Sequence, residues 1–173
     1  TDREDVSKTP FPYPRLSQLS LLSSEKVKST INFHNNSYFL AGSGVGIGSE
    51  PVPKQYLKAL KLDSLEFCSQ DDAKSNVYKF EYDMTLLPAR GYTRSVDYWG
   101  YYNGKSNRSL VPNILNDDYS NNNSSPIFIG DSRDTDFKFM KAGILTKIIY
   151  PGKGSSLFEY EPNYYETKEN KQN

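Results

Sequence analysis

A cluster of aromatic residues is the feature of this sequence best suited to binding a ligand. Tyr98, Trp99, Tyr101 and Tyr102 lie close together and are followed by Asn103. Aromatic ring faces stack against the apolar faces of sugars or against peptide groups, while neighbouring polar side chains orient the ligand. These five residues are therefore a candidate platform for a carbohydrate or a peptide. The pattern favours the alternative, in which the rings fill the space beneath a long loop.

Nucleophilic chemistry would depend on His34 and Cys68, the single histidine and the single cysteine of the chain. A catalytic histidine needs a nucleophile and an orienting acid, and the sequence has neither a Gly-x-Ser-x-Gly elbow nor a Cys-Gly-x-Cys segment. One cysteine also excludes an internal disulfide and a metal site built from several thiolates. We expect His34 at the surface at the end of a strand and Cys68 as a small core residue, with no catalytic residue and no metal ligand.

Two polar loops share only their composition with known binding loops. Residues 42–48 are rich in glycine and are followed by Ser49-Glu50-Pro51. A phosphate-binding loop instead has Lys and then Ser or Thr after its last glycine, and a dinucleotide-binding fold has a helix there. Residues 131–136 contain aspartates around Arg133, but they lack the glycine and the closing glutamate of an EF-hand calcium loop. The first segment is predicted to be a loop between hairpins, and the second a solvated turn with local pairing of arginine and aspartate. We expect no cofactor.

Charge and composition narrow the function classes. The chain has 21 Lys and Arg against 21 Asp and Glu, so no basic surplus is present to neutralise the phosphates of a nucleic acid. No run of about 18 apolar residues is present, so we expect no membrane span.

A hydrolase that uses a pair of carboxylates is another hypothesis for the function, because the many acidic residues permit many such pairs. The 14 tyrosines, with abundant Ser and Asn, suit β-strands joined by polar loops.

Three segments share one pattern of alternating apolar and polar residues. In each, a run of the type Leu-x-x-(Leu/Ile)-x-(Leu/Phe/Tyr) precedes a polar turn and a second alternating run. The three predicted hairpins span residues 16–34, 60–83 and 143–161. Period-two alternation indicates half-buried strands, and a hairpin needs neighbours to cover its apolar face. The sequence therefore predicts an all-β fold in which antiparallel hairpins form an open or stacked sheet, sandwich-like or shell-like, with little helix.

The remaining segments are assigned around these hairpins. Residues 1–15 form a predicted extended lead-in, because Pro10, Pro12 and Pro14 cannot donate hydrogen bonds to a sheet. Residues 16–165 form a single predicted β-rich domain, with an irregular aromatic linker at 86–142 and a polar tail at 166–173. Within the linker, residues 126–130 are predicted to add a short strand and 116–125 a surface loop. A short helix at Lys54–Leu60 is the less favoured interpretation of that segment.

The pattern resembles a known family. The run from Gly143 to Glu161 is similar to the hairpin of Rhs/YD-repeat-like proteins of Bacteroidetes, usually Gly-x-Leu-x-x-Ile-x-Tyr-Pro-Thr-Gly-Gly and then Phe-Glu-Tyr-Glu. Residues 87–90 and 97–104 resemble the linking segment of that family, and residues 62–65 and 80–82 resemble its preceding hairpin. The resemblance extends over residues 16–165. This chain departs from the pattern at the last turn, where Gly152-Lys153-Gly154 replaces Thr-Gly-Gly at equal length.

The resemblance implies a non-catalytic structural module of a secreted or cell-surface protein. In that family a β-sheet shell houses or presents another domain, so the implied partners are the remainder of the same polypeptide or an associated effector domain. No catalytic residue of the family maps onto this chain. A piece of such a repeat array would leave unpaired edge strands, so we also expect an edge-strand homodimer through the first or the last hairpin.

Overall fold

The computed structural model describes residues 3–6, 14–42, 51–69, 75–91, 93–116 and 127–163. It is mostly antiparallel β-sheet with almost no helix, which confirms the predicted all-β class. The strands are β1 (Gln18–Ser23), β2 (Lys26–His34), β3 (Ser37–Leu40), β4 (Lys58–Lys61), β5 (Ser64–Ser69), β6 (Asn76–Tyr82), β7 (Ile114–Asn116), β8 (Ile127–Ile129), β9 (Leu145–Ile149) and β10 (Ser155–Leu157). The helical elements are a 3-10 turn at Lys54–Leu57 and the one-turn helix α1 at Phe137–Met140.

The main sheet has six strands in the order β1-β2-β5-β6-β9-β10. The three predicted hairpins thus lie side by side in chain order, and every neighbouring pair of strands is antiparallel. The first turn is tight, with Ser24 and Glu25 both at positive φ (49° and 65°), as in the hairpin turns that match the twist of the flanking strands. The turns of the first and the last hairpin lie at one end of the sheet. The long connections, residues 35–63 and 83–144, both leave and re-enter at the opposite end.

Two strands of this sheet continue past its end as a long ribbon. Strand β3 pairs with β4. The pair Ser37↔Lys61 lies three residues beyond the pair His34↔Ser64 on both strands, so the two ladders share one register. The amide of Asp63 donates to the carbonyl of His34 at 2.7 Å, and the hydroxyl of Ser37 donates to the Asp63 carboxylate. The two ladders are therefore separated at residues 35–36 and 62–63 without a change of register.

The two faces of the main sheet differ in polarity. Alternation within each strand, together with the register, puts apolar residues opposite one another: Leu19 pairs with Ile31, and Ile31 with Phe67. Edge-to-face ring contacts follow the same face, from Phe67 to Tyr78 (5.4 Å) and from Tyr78 to Tyr150 (5.9 Å). Such cross-strand pairs stabilise a sheet by about 0.2–1 kcal/mol each. The opposite face carries the polar partners, such as Asn32 and Glu66.

The apolar face stays accessible to solvent. Among the described residues Ala89 is the single buried hydrophobic residue. Leu19, Leu21 and Phe67 keep 55%, 64% and 38% of their surface exposed. Domains normally bury the apolar face of a sheet beneath a second layer. In the described part of the chain this sheet is a single layer.

The N-terminal residues 3–6 differ from a simple extended lead-in, because they are anchored by a buried carboxylate. Asp5 is 1% exposed and accepts two hydrogen bonds from the Arg3 guanidinium, at 2.9 and 2.8 Å. The amide of Leu60 in β4 donates to the same carboxylate, and Arg90 donates to the Asp5 carbonyl. The Arg3 hydrogen bonds hold the pKa of Asp5 below its ordinary value, against the opposing effect of burial. Asp5 therefore joins the N-terminal segment to β4 through its carboxylate and to Arg90 through its carbonyl.

The rest of the described chain contains only short elements. The predicted strand at 126–130 is present as β8, which pairs with β7. The helical alternative at Lys54–Leu60 is reduced to a 3-10 turn, because the chain becomes extended at Lys58 and starts β4 there. None of the described helices is long and apolar enough to cross a membrane.

Candidate functional site

The aromatic cluster forms the tip of a small hairpin at residues 95–103. The amide of Asp97 donates to the carbonyl of Tyr101 at 2.8 Å, and the amide of Asn103 to the carbonyl of Ser95 at 3.1 Å. The amide of Gly100 closes a turn onto the carbonyl of Asp97. Gly100 has φ +93°, a value that suits a glycine in the bulge that follows such a turn. Tyr98 and Trp99 therefore occupy the two central positions of the turn.

The side chain of Asp97 fixes the shape of this tip. Asp97 is fully buried (0% exposed), and its Oδ1 accepts hydrogen bonds from the amides of Trp99 and Tyr101, each at 2.9 Å. An aspartate that bonds to an amide two residues ahead forms an Asx turn, which is why this residue type suits the start of the turn. Asp97 is thus a positioning residue for the aromatic tip.

Asn103 attaches the base of the hairpin to the loop after β8. Its side chain is 0% exposed, and its Nδ2 donates to the carbonyls of Ser132 (3.3 Å) and Asp134 (3.2 Å). Its Oδ1 accepts from the amide of Lys105 at 3.2 Å. A buried amide with three partners satisfies most of its hydrogen-bonding capacity. Asn103, which the sequence suggested as part of the ligand platform, is therefore placed inside the fold.

Arg133 makes a second link between the same two segments. Its guanidinium donates to the carbonyls of Asp97 and Leu110 and lies 5.4 Å from the centroid of the Tyr98 ring. A cation over an aromatic ring at this distance is attracted by the ring face. The predicted pairing of Arg133 with the neighbouring aspartates is absent from the described contacts. The guanidinium instead donates to the carbonyl groups of Asp97 and Leu110, which lie in other segments of the chain.

Three of the four aromatic side chains face solvent. Tyr98, Trp99 and Tyr101 are 63%, 67% and 57% exposed. The interpretation that the pattern favoured, in which these rings fill space beneath a loop, is wrong for these three. The reason is that polar residues, Asp97 and Asn103, take the buried positions of this hairpin.

Tyr102 is the aromatic residue that does pack inward. Its ring contacts Phe139 of α1 edge to face, with 5.4 Å between centroids, and burial raises its pKa above the ordinary value. Gly104 lies against the same phenylalanine, so that a Cβ built there would be 2.3 Å from the Phe139 ring. Tyr102 and Gly104 therefore seat the hairpin on α1, and the exposed platform is reduced to Tyr98, Trp99 and Tyr101.

No family model, curated protein or solved structure matches this chain.

His34 belongs to a polar cluster on the sheet face opposite the apolar one. It is the last residue of β2, and its Nε2 lies 3.2 Å from Glu66 Oε2, with 45% of the histidine side chain exposed. Asn32 donates to the same carboxylate at 3.2 Å and approaches Cys68 Sγ at 3.6 Å. Hydrogen bonds, first from Ser75 and then from Asn32 and His34, lower the pKa of Glu66. The predicted surface position of His34 is confirmed.

Cys68 differs from its predicted place in a core. It is half-buried and shares the polar face with Asn32, because period-two alternation in β5 puts Glu66 and Cys68 on one side and Phe67 on the other. The apolar neighbours that suggested a core position thus point away from it. The contacts of Asn32 with Glu66 and Cys68, and of His34 with Glu66, join β2 to β5.

The aspartate-rich loop has structural partners. Asp131 Oδ2 accepts from the amides of Arg108 (3.0 Å) and Ser109 (2.7 Å), and Asp136 caps α1 by accepting from the amide of Lys138. Within the described residues no three His, Cys, Asp or Glu side chains are grouped as metal ligands. Of the glycine-rich segment 42–48, only Gly42 is described, so the predicted loop lies almost wholly outside the described residues.

A cavity of about 700 Å³ lies at the anchored N-terminal segment. Its lining comes from residues 3–6, the end of β3 and the 3-10 turn, and includes Arg3, Glu4, Lys54 and Lys58. The Lys58 ammonium is paired with Glu4. None of its described lining residues belongs to the aromatic hairpin.

Sequence reasoning missed the residues that hold the site in place. Asp97 and Arg133 were noted as part of their segments, but their contacts join positions 36 residues apart and no local pattern predicts them. The helix α1 had a usable signal: Asp136 precedes a short apolar run and Gly143 follows it, as at the ends of many helices.

Proposed function

We propose that this chain is a non-catalytic structural module of a larger β-sheet shell in a secreted or cell-surface protein of the Rhs/YD-repeat type. The observation that carries the proposal is the apolar face of the six-stranded sheet, over which the described residues form no second layer. Full burial of a large apolar side chain contributes about 1.5–3 kcal/mol, so a face that presents several of them is stabilised when another layer covers it. In this proposal the remainder of the same polypeptide, or an effector domain, supplies that layer.

The edges of the sheet support the same proposal. Strand β1 is an edge strand, and every residue of Gln18–Ser23 is exposed. It contains no charged residue and no proline, the usual means of preventing further pairing. A sheet with such an edge is suited to continuation by a neighbouring strand.

Thiol labelling of one face tests the proposal. In a Cys68→Ser background, Leu19→Cys reports on the apolar face and Gln18→Cys on the polar face, since adjacent strand residues point to opposite sides. A maleimide is expected to modify both thiols rapidly in this chain alone. In the full-length protein the thiol at position 19 is expected to react at least about tenfold more slowly, whereas the thiol at position 18 keeps its rate. Equal rates at position 19 in both contexts would overturn the proposal.

A further inference from the structure

We propose that the aromatic tip formed by Tyr98, Trp99 and Tyr101 is a stacking platform that binds a neutral carbohydrate chain. This inference goes beyond the structural role and does not depend on it. Three large rings are more than half exposed on one short hairpin. Grouped apolar surface of this kind on a protein usually marks an interaction site.

The platform is preorganised. Asp97 fixes the amides of Trp99 and Tyr101, and Gly100 closes the turn. Asn103 and Arg133 fasten the hairpin to the loop after β8. A ligand that docks on this tip therefore does not have to order the loop, which removes a cost that usually weakens binding.

The chemistry of the tip favours a neutral ligand. Apart from the tyrosines, Asp97 is the one ionisable residue in the segment 95–104, and it is fully buried. The neighbouring cation of Arg133 is committed to two carbonyls. What the tip offers to solvent is aromatic ring surface and phenolic hydroxyls, with Arg133 against one face of the Tyr98 ring. Sugar rings present apolar C–H faces and hydroxyls in the same combination.

The backbone of the tip disfavours a peptide that would bind by adding a strand. Such binding uses free main-chain amides and carbonyls of an exposed edge. The amides of Asp97, Trp99, Gly100, Tyr101 and Asn103 all have partners within the hairpin. Stacking on the exposed rings is then the main interaction available, and carbohydrates bind to aromatic side chains in this way.

Fluorescence tests the proposal directly, because Trp99 is the single tryptophan of the chain. The probes are cellohexaose, laminarihexaose, xylohexaose and chitohexaose, with a decaproline peptide as the competing ligand class. At least one oligosaccharide is expected to change the Trp99 emission in a saturable way. Tyr98→Ala and Tyr101→Ala are each expected to weaken that binding about tenfold, the scale expected for the loss of one stacked ring.

Matched variants separate binding from folding. Leu157→Ala removes a side chain as exposed as Trp99 (67%) from strand β10, outside the tip, and is expected to leave the affinity unchanged. Tyr98→Phe and Tyr101→Phe keep the rings, so they retain binding even if the alanine variants fail to fold. No saturable change with any oligosaccharide, equal affinity in folded Tyr98→Ala and Tyr101→Ala, or binding only to decaproline would each overturn the proposal. Thiol labelling of the apolar face is independent of all these results.

Discussion

At the residue scale, the buried positions of this chain are occupied by polar side chains with specific partners. Asp5, Asn35, Asp97 and Asn103 are all buried, beside Ala89 as the buried apolar residue of the described chain. Buried polar groups cost free energy when they lose their partners, so each of these residues fixes the backbone that it contacts. The aromatic residues could be identified from the sequence, but their orientation depends on these contacts.

Replacing Asp97 with alanine should destabilise the chain and disorder the aromatic tip. The change leaves two amides without their acceptor, and we expect a loss of about 2–3 kcal/mol in the free energy of unfolding. Urea unfolding followed by circular dichroism measures this loss. Asp134→Ala removes an exposed carboxylate from the adjoining loop and should change stability by less than about 0.5 kcal/mol. Equal effects of the two variants would show that Asp97 is not a positioning residue.

The Asp5 anchor should make stability depend on pH in the acid range. Its pKa in the folded chain lies below the ordinary value of 3.8, so its stabilisation is present above that value and is lost as pH falls through the lower folded pKa. Unfolding measured from neutral pH downward should show wild type more stable than Asp5→Asn, with a difference that shrinks below about pH 4. Glu4→Gln, at an exposed neighbour, should follow wild type. A pH-independent difference for Asp5→Asn would contradict this assignment.

At the scale of elements, the three hairpins were predictable because period-two alternation persists through both strands of each. The ribbon extension was not, because β3 and β4 are four residues each and the sequence between them is rich in glycine and proline. The helix α1 is a single turn, and it persists because Phe139 packs against Tyr102 and Gly104. Short elements of this kind are decided by tertiary contacts more than by local preference.

Gly104→Ala should disturb the seating of the hairpin on α1. Position 104 has φ +66°, where a side chain is strained, and the new Cβ would collide with the Phe139 ring. We expect a loss of about 2 kcal/mol or more. Gly152→Ala is the matched control, since its Cβ meets nothing within 4 Å and its φ is not positive. Thermal unfolding of both variants checks the difference, and a Gly104→Ala protein as stable as Gly152→Ala would be inconsistent with this packing.

The β1 edge should drive self-association of this chain. Gln18–Ser23 is twice as long as the other edge strand, Ser155–Leu157 (6 against 3 residues), and it carries no charge. We expect a concentration-dependent dimer in light scattering. Leu21→Lys introduces a charge at this edge and should yield a monomer, whereas Leu157→Lys should not. A dimer that survives Leu21→Lys would show that β1 is not the interface.

At the scale of the whole molecule, the main sheet is a layer with one polar face and one apolar face, and no described residue forms a second layer over the apolar face or pairs with the outer side of β1 or β10. The alternation along the strands predicted the two faces. It could not predict whether a second layer is present, because that depends on residues distant in the chain or outside it. The long connections leave and return at one end of the sheet, and the aromatic hairpin belongs to the second of them. The sheet and the aromatic tip can therefore serve separate roles.

Hydrogen exchange, resolved strand by strand, tests the central claim that this sheet is completed by polypeptide beyond it. The measurement compares β1 and β10 amides in this chain and in the full-length protein, with the interior strand β5 as the internal reference. We predict that the outward amides of β1 exchange at least about tenfold more slowly in the full-length protein, while β5 changes little. Unchanged exchange of both edge strands in the full-length protein would contradict the account.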